Sequence, residues 1–119
     1  MQYLLLIYTP ENAEAAMPPA EGRTMMADYL TFTQNIRKAG NFVAGDALQP
    51  THTATTVRVR DGKVTTTDGP FAETKEQLGG YYLINAKNLD EAITIAAQIP
   101  GAKHGSIEVR PIMVFAPSA

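Results

Sequence analysis

The chain has 119 residues, the length of one modest domain. Ten basic and 12 acidic residues leave a net charge of −2, which excludes the basic stripe needed to capture nucleic acid or anionic lipid. With 45% hydrophobic and 18% charged residues the chain reads as globular, and the absence of cysteine removes any disulfide, thiol nucleophile or thiolate metal site.

The apolar start, Gln2 to Tyr8, reads as a first strand. It has no basic stretch before it and runs into Thr9-Pro10-Glu11, so it is not expected to be a signal peptide. No run approaches the ~20 apolar residues of a membrane span, and a cytoplasmic location is expected. Residues 9–20, rich in Ala and Pro from Ala13, read as a loop. Residues 21–39 read as a helix, with Met25, Met26, Tyr29, Phe32, Thr33 and Ile36 on one face and Gly40 as its stop. Phe42-Val43-Ala44 reads as a short strand ended by Gly45-Asp46. Thr55 to Arg60 alternates, Asp61-Gly62 signals a two-residue hairpin, and Lys63 to Thr67 returns. Asp68-Gly69-Pro70 reads as a turn and Leu78 to Ile84 as a strand.

Asn88 is positioned to cap a second helix, with Glu91 three residues on in a capping-box spacing. Leu89, Ala92, Ile93, Ala96 and Ile99 are expected to form its buried stripe, ended by Pro100-Gly101. Ser106 to Phe115 reads as the last strand. The order β-α-β(β)-β-α-β, with two helices on one face of a four- or five-stranded sheet, predicts an α+β, ferredoxin-like subunit in a single domain, 1–119.

Two helices cover one face of such a sheet, so the other face should be polar. It is not. Tyr3, Leu5 and Ile7 point one way and Leu4, Leu6 and Tyr8 the other. Tyr81 to Ile84 is apolar throughout, and in the last strand Ile112 and Val114 share the face of Glu108 and Arg110. An apolar face of this kind marks an interface. The expected solution is a homodimer with sheets stacked face to face; the alternative is that the loop 9–20 folds over that face.

The run Asp68-Gly69-Pro70-Phe71-Ala72-Glu73-Thr74-Lys75-Glu76-Gln77-Leu78-Gly79-Gly80-Tyr81-Tyr82 resembles the signature of the DGPF branch of the YCII-related proteins. Phe42 to Pro50, Thr56-Val57-Arg58, Leu89 to Ala92 and Gly105 to Pro111 extend the resemblance over nearly the whole chain. The resemblance implies a ferredoxin-like subunit assembled into a dimeric α+β barrel. It implies no settled reaction, although relatives on that scaffold move protons or eliminate chloride from cyclic substrates. It also implies a link to extracytoplasmic-function sigma factors, beside which many DGPF proteins are encoded. The His–Asp pair of many YCII-related proteins has no clear counterpart here.

Several residues are candidates for chemistry. Asp68, Gly69 and Pro70 suit a turn by their own conformational preferences, and Phe71 suits an anchor into the core or a partner. Glu73, Lys75 and Glu76 either present a charged rim to a ligand or form a solvated loop with local ion pairs. Glu108 and Arg110 either bind a ligand at the mouth of an apolar cavity, Glu108 as a base and Arg110 as an oxyanion partner, or neutralise one another. Asp46 either faces the same pocket or makes a turn. Tyr8, Tyr81 and Tyr82 either line a cavity or belong to the core. His52 and His104 lack metal-motif spacing, Ser106 and Ser118 lack a nucleophile elbow, and no phosphate fingerprint is present, so no metal or cofactor is expected. Gly79-Gly80 inside a strand suggests a bulge or a close backbone approach.

Two functions follow. One is a homodimeric small-molecule-binding protein, or an enzyme using Glu108 and Glu76 for proton transfer or elimination, with Arg110, Lys75, Glu73, Asp46 and Tyr82 on the ligand. The other is a non-catalytic regulatory or interaction protein linked to a sigma factor. In a third reading the charges are incidental.

Overall fold

A computed structural model describes residues 1–116. Six strands and three α-helices form an α+β subunit: β1 Gln2–Thr9, α1 Glu11–Ala15, α2 Pro19–Lys38, β2 Phe42–Ala47, β3 Thr55–Arg60, β4 Lys63–Asp68, β5 Gln77–Asn85, α3 Leu89–Ala96 and β6 Ser106–Pro111. Short 3-10 turns lie at Thr51–Thr53 and Pro100–Lys103. Four strands pair antiparallel in the order β2-β5-β1-β6, and β3 with β4 forms a separate two-stranded hairpin. That order, with the helices on one face, is compatible with a ferredoxin-like arrangement. Among the described residues no helix is long and apolar enough to cross a membrane.

The core follows from strand parity. Tyr3, Leu5, Ile7 and Thr9 are buried, while Gln2, Leu4, Leu6 and Tyr8 between them are half-buried on the opposite face. Leu5 lies between Tyr82 of β5 and Val109 of β6, so these share its face. Onto that face pack Phe32 and Ile36 of α2 and Ala92, Ile95 and Ala96 of α3, with Ile99 beyond. Leu5, Ile84 and Ile99 are fully buried.

Several boundaries differ from the sequence reading, each for a local reason. α2 begins at Pro19, two residues early, because proline suits the first helical turn, where its missing N–H leaves nothing unsatisfied. It ends with the Gly40 N–H on the Arg37 carbonyl and the Asn41 N–H on the Ile36 carbonyl, a Schellman stop with Gly40 at φ +82°. Met26 falls outside the buried stripe of α2. The stripe of α3 runs through Ala92, Ile95, Ala96 and Ile99, an i, i+3, i+4, i+7 set, so Leu89 and Ile93 are rotated out and exposed. The cap is as expected: the Asn88 side chain accepts the Glu91 N–H at 2.9 Å. The Glu91 carboxylate, however, turns to the Asn41 side-chain amide instead of closing the box.

The loop 9–20 contains α1. Its Glu14 borders the helix side of the sheet, and the Glu11 carboxylate holds the Thr51 amide and hydroxyl, each at 2.8 Å. The described loop therefore lies to the helix side and leaves the other sheet face open. β2 runs through Gly45 and Asp46 to Ala47, because all three find partners on β5; Asp46 sits opposite Tyr81 and makes no turn. β6 stops at Pro111, opposite Tyr3, and Ile112 adds one last bond to the carbonyl of Gln2, the first residue of β1. Gly79 is the extra residue of a bulge between the Ile7–Gly80 and Tyr8–Leu78 pairs.

The subunit is flat, about 53 × 48 × 18 Å, with a radius of gyration of 16.7 Å. A compact chain of this length is expected near roughly 13.5 Å. The difference comes from the β3–β4 hairpin, which turns at Asp61 (φ 53°) and Gly62 (φ 74°) and stands away from the sheet with Val57, Val59 and Val64 exposed.

Candidate functional site

Between α2 and the β2–β5 edge of the sheet lies a cavity of about 380 Å³. That is the lower part of the range for sites taking small organic ligands. Ile7 and Thr9 of β1 and Gly80 and Tyr82 of β5 border its sheet side; Met25, Tyr29, Leu30 and Thr33 border its helix side. Helical spacing creates this wall, since Tyr29 and Thr33 lie four residues apart, one turn along the same face.

Three hydroxyl-bearing side chains, Tyr29, Thr33 and Tyr82, border the cavity. Thr33 Oγ1 lies 2.8 Å from the Tyr82 hydroxyl and 2.9 Å from the Tyr29 carbonyl. The Tyr29 hydroxyl accepts the Gly101 N–H at 3.1 Å. Two glycines make this approach fit. A Cβ on Gly101 would stand 2.6 Å from the Tyr29 hydroxyl, and one on Gly45 would stand 2.7 Å from the Tyr82 ring. Tyr82 is held edge-on to Phe32, with ring centres 5.1 Å apart. At the cavity border, Arg37 lies 4.1 Å above the Phe42 ring and Glu14 approaches from α1. Burial pushes the Tyr29 phenol above its ordinary pKa; the Gly101 hydrogen bond opposes that, and the Glu14 charge and Tyr82 add to it. Tyr29 is therefore a neutral hydrogen-bonding group at physiological pH.

Of the candidate residues singled out in the sequence, Asp46, Tyr81 and Tyr82 border this cavity; Tyr8, Glu108, Arg110, Glu76, Lys75 and Glu73 do not. The Asp46 carboxylate turns to the open face, where it accepts the Tyr81 hydroxyl at 2.6 Å. This bond, with the Asp46 charge, raises the pKa of Tyr81. Glu108 and Arg110 stand on the open face opposite Leu6 and Leu4, as strand parity implies, and pair with each other with side chains 36% and 69% exposed. Glu76 joins that face by accepting the Ser106 hydroxyl at 2.8 Å. Lys75 and Glu73 are exposed on the preceding loop with Phe71, which is 82% exposed. Asp68 ends β4, and Gly69 takes φ +103°. The turn is tied back by the Gly69 N–H on the Ala54 carbonyl and the Thr56 hydroxyl on the Gly69 carbonyl.

Tyr8 lies on the open face. His52 is exposed in the first 3-10 turn, and His104 borders a broad groove beside α2 whose charged residues, Glu21, Asp28 and Lys103, are all exposed. Ser118 lies outside the described residues.

Sequence reading places Tyr29 and Thr33 only on a packed helix face. The available signal was chemical: two hydroxyl-bearing residues one turn apart on an otherwise apolar stripe.

This architecture is matched by a family model. The YCII-related domain model fits residues 1–116. The chain belongs to the YCII-related family. This YCII-related protein is also similar to an uncharacterised protein of Rhizobium meliloti (strain 1021), 39% identical over 119 residues that cover 98% of this chain and 96% of the relative. Neither match assigns a reaction.

Proposed function

We propose that this YCII-related protein binds a small organic molecule in the cavity between α2 and the β2–β5 edge, and that it works as a homodimer. The observation that carries the reading is a cavity of about 380 Å³ whose walls carry the hydroxyl-bearing Tyr29, Thr33 and Tyr82 beside apolar Ile7, Met25 and Leu30. An apolar body with few polar anchors is what such a cavity accommodates. The Asp68-Gly69-Pro70-Phe71 run supports placing the chain in the DGPF branch.

The homodimer reading rests on the open sheet face and the hairpin. Leu4, Leu6, Tyr8 and Leu83 are only half-buried there, and Phe71, Met113, Val114 and Phe115 are exposed. An isolated two-stranded hairpin is marginal in water, so β3–β4 needs a surface to lie on. Arg58, Arg60 and Lys63 share one hairpin face, and Glu76 and Glu108 border the open sheet face. A second copy supplies that complementarity in both directions. In this assembly Glu108, Arg110 and Glu76 would be drawn from solvent into the interface, and the two carboxylates are the groups placed for proton transfer there.

Sedimentation velocity with a thermal-shift metabolite screen tests both parts. A dimer stabilised by a low-molecular-weight compound is expected. A dilute monomer would remove the assembly, and stabilisation unaffected by Thr33→Val would remove the cavity.

A further inference from the structure

The hydroxyl pattern in the cavity carries information about its ligand. Thr33 has a single hydroxyl hydrogen, and the 2.9 Å contact to the Tyr29 carbonyl, four residues back, is the usual helical use of it. The 2.8 Å contact between Thr33 and Tyr82 then takes the Tyr82 hydrogen. Tyr82 is left with an oxygen that can only accept. Tyr29 is the reverse. Its oxygen already accepts the Gly101 N–H, and its own hydrogen meets no acceptor among the described residues. Tyr29 therefore keeps an unused donor and Tyr82 an unused acceptor on the cavity wall.

We propose that the ligand presents a neutral carbonyl oxygen to the Tyr29 hydroxyl and an N–H or O–H to the Tyr82 oxygen, as a cyclic amide does. The inference rests on the cavity being the binding site and specifies the chemistry of its occupant. A carboxylate ligand fits less well. It has no hydrogen for Tyr82, and the Glu14 charge, which already raises the Tyr29 pKa, would repel it. The guanidinium of Arg37 at the cavity border is engaged on the Phe42 ring. A plain ketone satisfies Tyr29 and leaves Tyr82 facing a group with no proton. An unmatched polar group of this kind lowers affinity more than a matched one raises it.

The test uses the full chain and four probes of similar size: 2-piperidone, cyclohexanone, cyclohexanecarboxylate and benzene. Binding is followed through the amide shifts of Thr33, Gly80 and Tyr82. The wild-type protein is expected to bind 2-piperidone about fivefold or more tighter than cyclohexanone, with cyclohexanecarboxylate weakest among the polar probes. Tyr29→Phe should weaken both carbonyl probes about tenfold. Tyr82→Phe should bring 2-piperidone down to the level of cyclohexanone and leave cyclohexanone within about twofold. The wild-type ranking stands by itself if either variant folds poorly. Tighter binding of the carboxylate, or equal binding of benzene and both carbonyl probes, would overturn the donor–acceptor assignment while leaving the cavity as a site. No response to any probe would overturn the site and the assignment together.

Discussion

Gly101→Ala is the most informative single change, because it strikes the Tyr29 contact without touching Tyr29. The added Cβ would lie 2.6 Å from the Tyr29 hydroxyl, 0.8 Å inside the 3.4 Å where ordinary contact begins, and also close to Ile7 and Thr9 at 3.2 and 3.3 Å. Overpacking of this kind destabilises by ~1–3 kcal/mol. Displacing the phenol also loses its bond with the Gly101 N–H, worth ~1 kcal/mol. Alanine recovers ~0.4–1 kcal/mol by restricting the unfolded chain. The net expectation is ~2 kcal/mol, or a Tm lower by ~8 °C at fixed protein concentration. In a Tyr29→Phe background the hydroxyl is gone, and the same substitution should cost below ~0.5 kcal/mol. Thermal and urea unfolding of the two single variants and the double variant measure the coupling directly. Additive effects would refute the contact between Gly101 and the Tyr29 hydroxyl as the reason for glycine at this position.

Other changes probe the supports of the site. Asn88→Ala removes the cap on the Glu91 N–H and should destabilise by ~1 kcal/mol in chemical denaturation. Gly69→Val forces a β-branched residue to φ +103° and should lower stability by ~1–3 kcal/mol; an unchanged melting point would contradict the turn's role. Glu11→Ala frees the Thr51 amide from its carboxylate, so its hydrogen exchange should accelerate while that of the Leu5 amide is unchanged. Spectrophotometric titration should find two tyrosines ionising above the ordinary 10.0, Tyr29 because of its burial and Tyr81 because its hydroxyl donates to Asp46. The folded-state pKa is raised, so any stability from this bond is held at neutral pH and lost as pH rises through 10 and above. Asp46→Asn should return Tyr81 toward its ordinary value.

The α+β class and the strand and helix order are legible in the sequence because strand parity and turn chemistry are strong local signals. Asp61-Gly62 has the residues its hairpin needs, and the alternation around Leu5 fixes which face is buried. Boundaries were less legible because they depend on partners. Asp46 is in a strand because Tyr81 lies opposite, and β6 ends beside the first residues of β1. The face of Glu108 and Arg110 followed from parity, and their mutual pairing was one of the two readings that their spacing left open; side-chain rotamers decide between them. Tyr29 escaped notice because its role depends on Gly101, 72 residues away, and no local pattern announces that approach. The α3 stripe was misplaced by about one residue's rotation, because Leu89 and Ile93 are as apolar as Ile95 and only the docking angle on the sheet selects among them.

Fragment-soaked crystals of the wild-type protein test whether the cavity between α2 and the β2–β5 edge takes a small molecule. Bound fragments are expected there, with polar atoms within hydrogen-bonding distance of the Tyr29 and Tyr82 hydroxyls. Fragments found only on the open sheet face beside Glu108 and Arg110, with the α2 cavity empty at the same concentrations, would contradict that expectation.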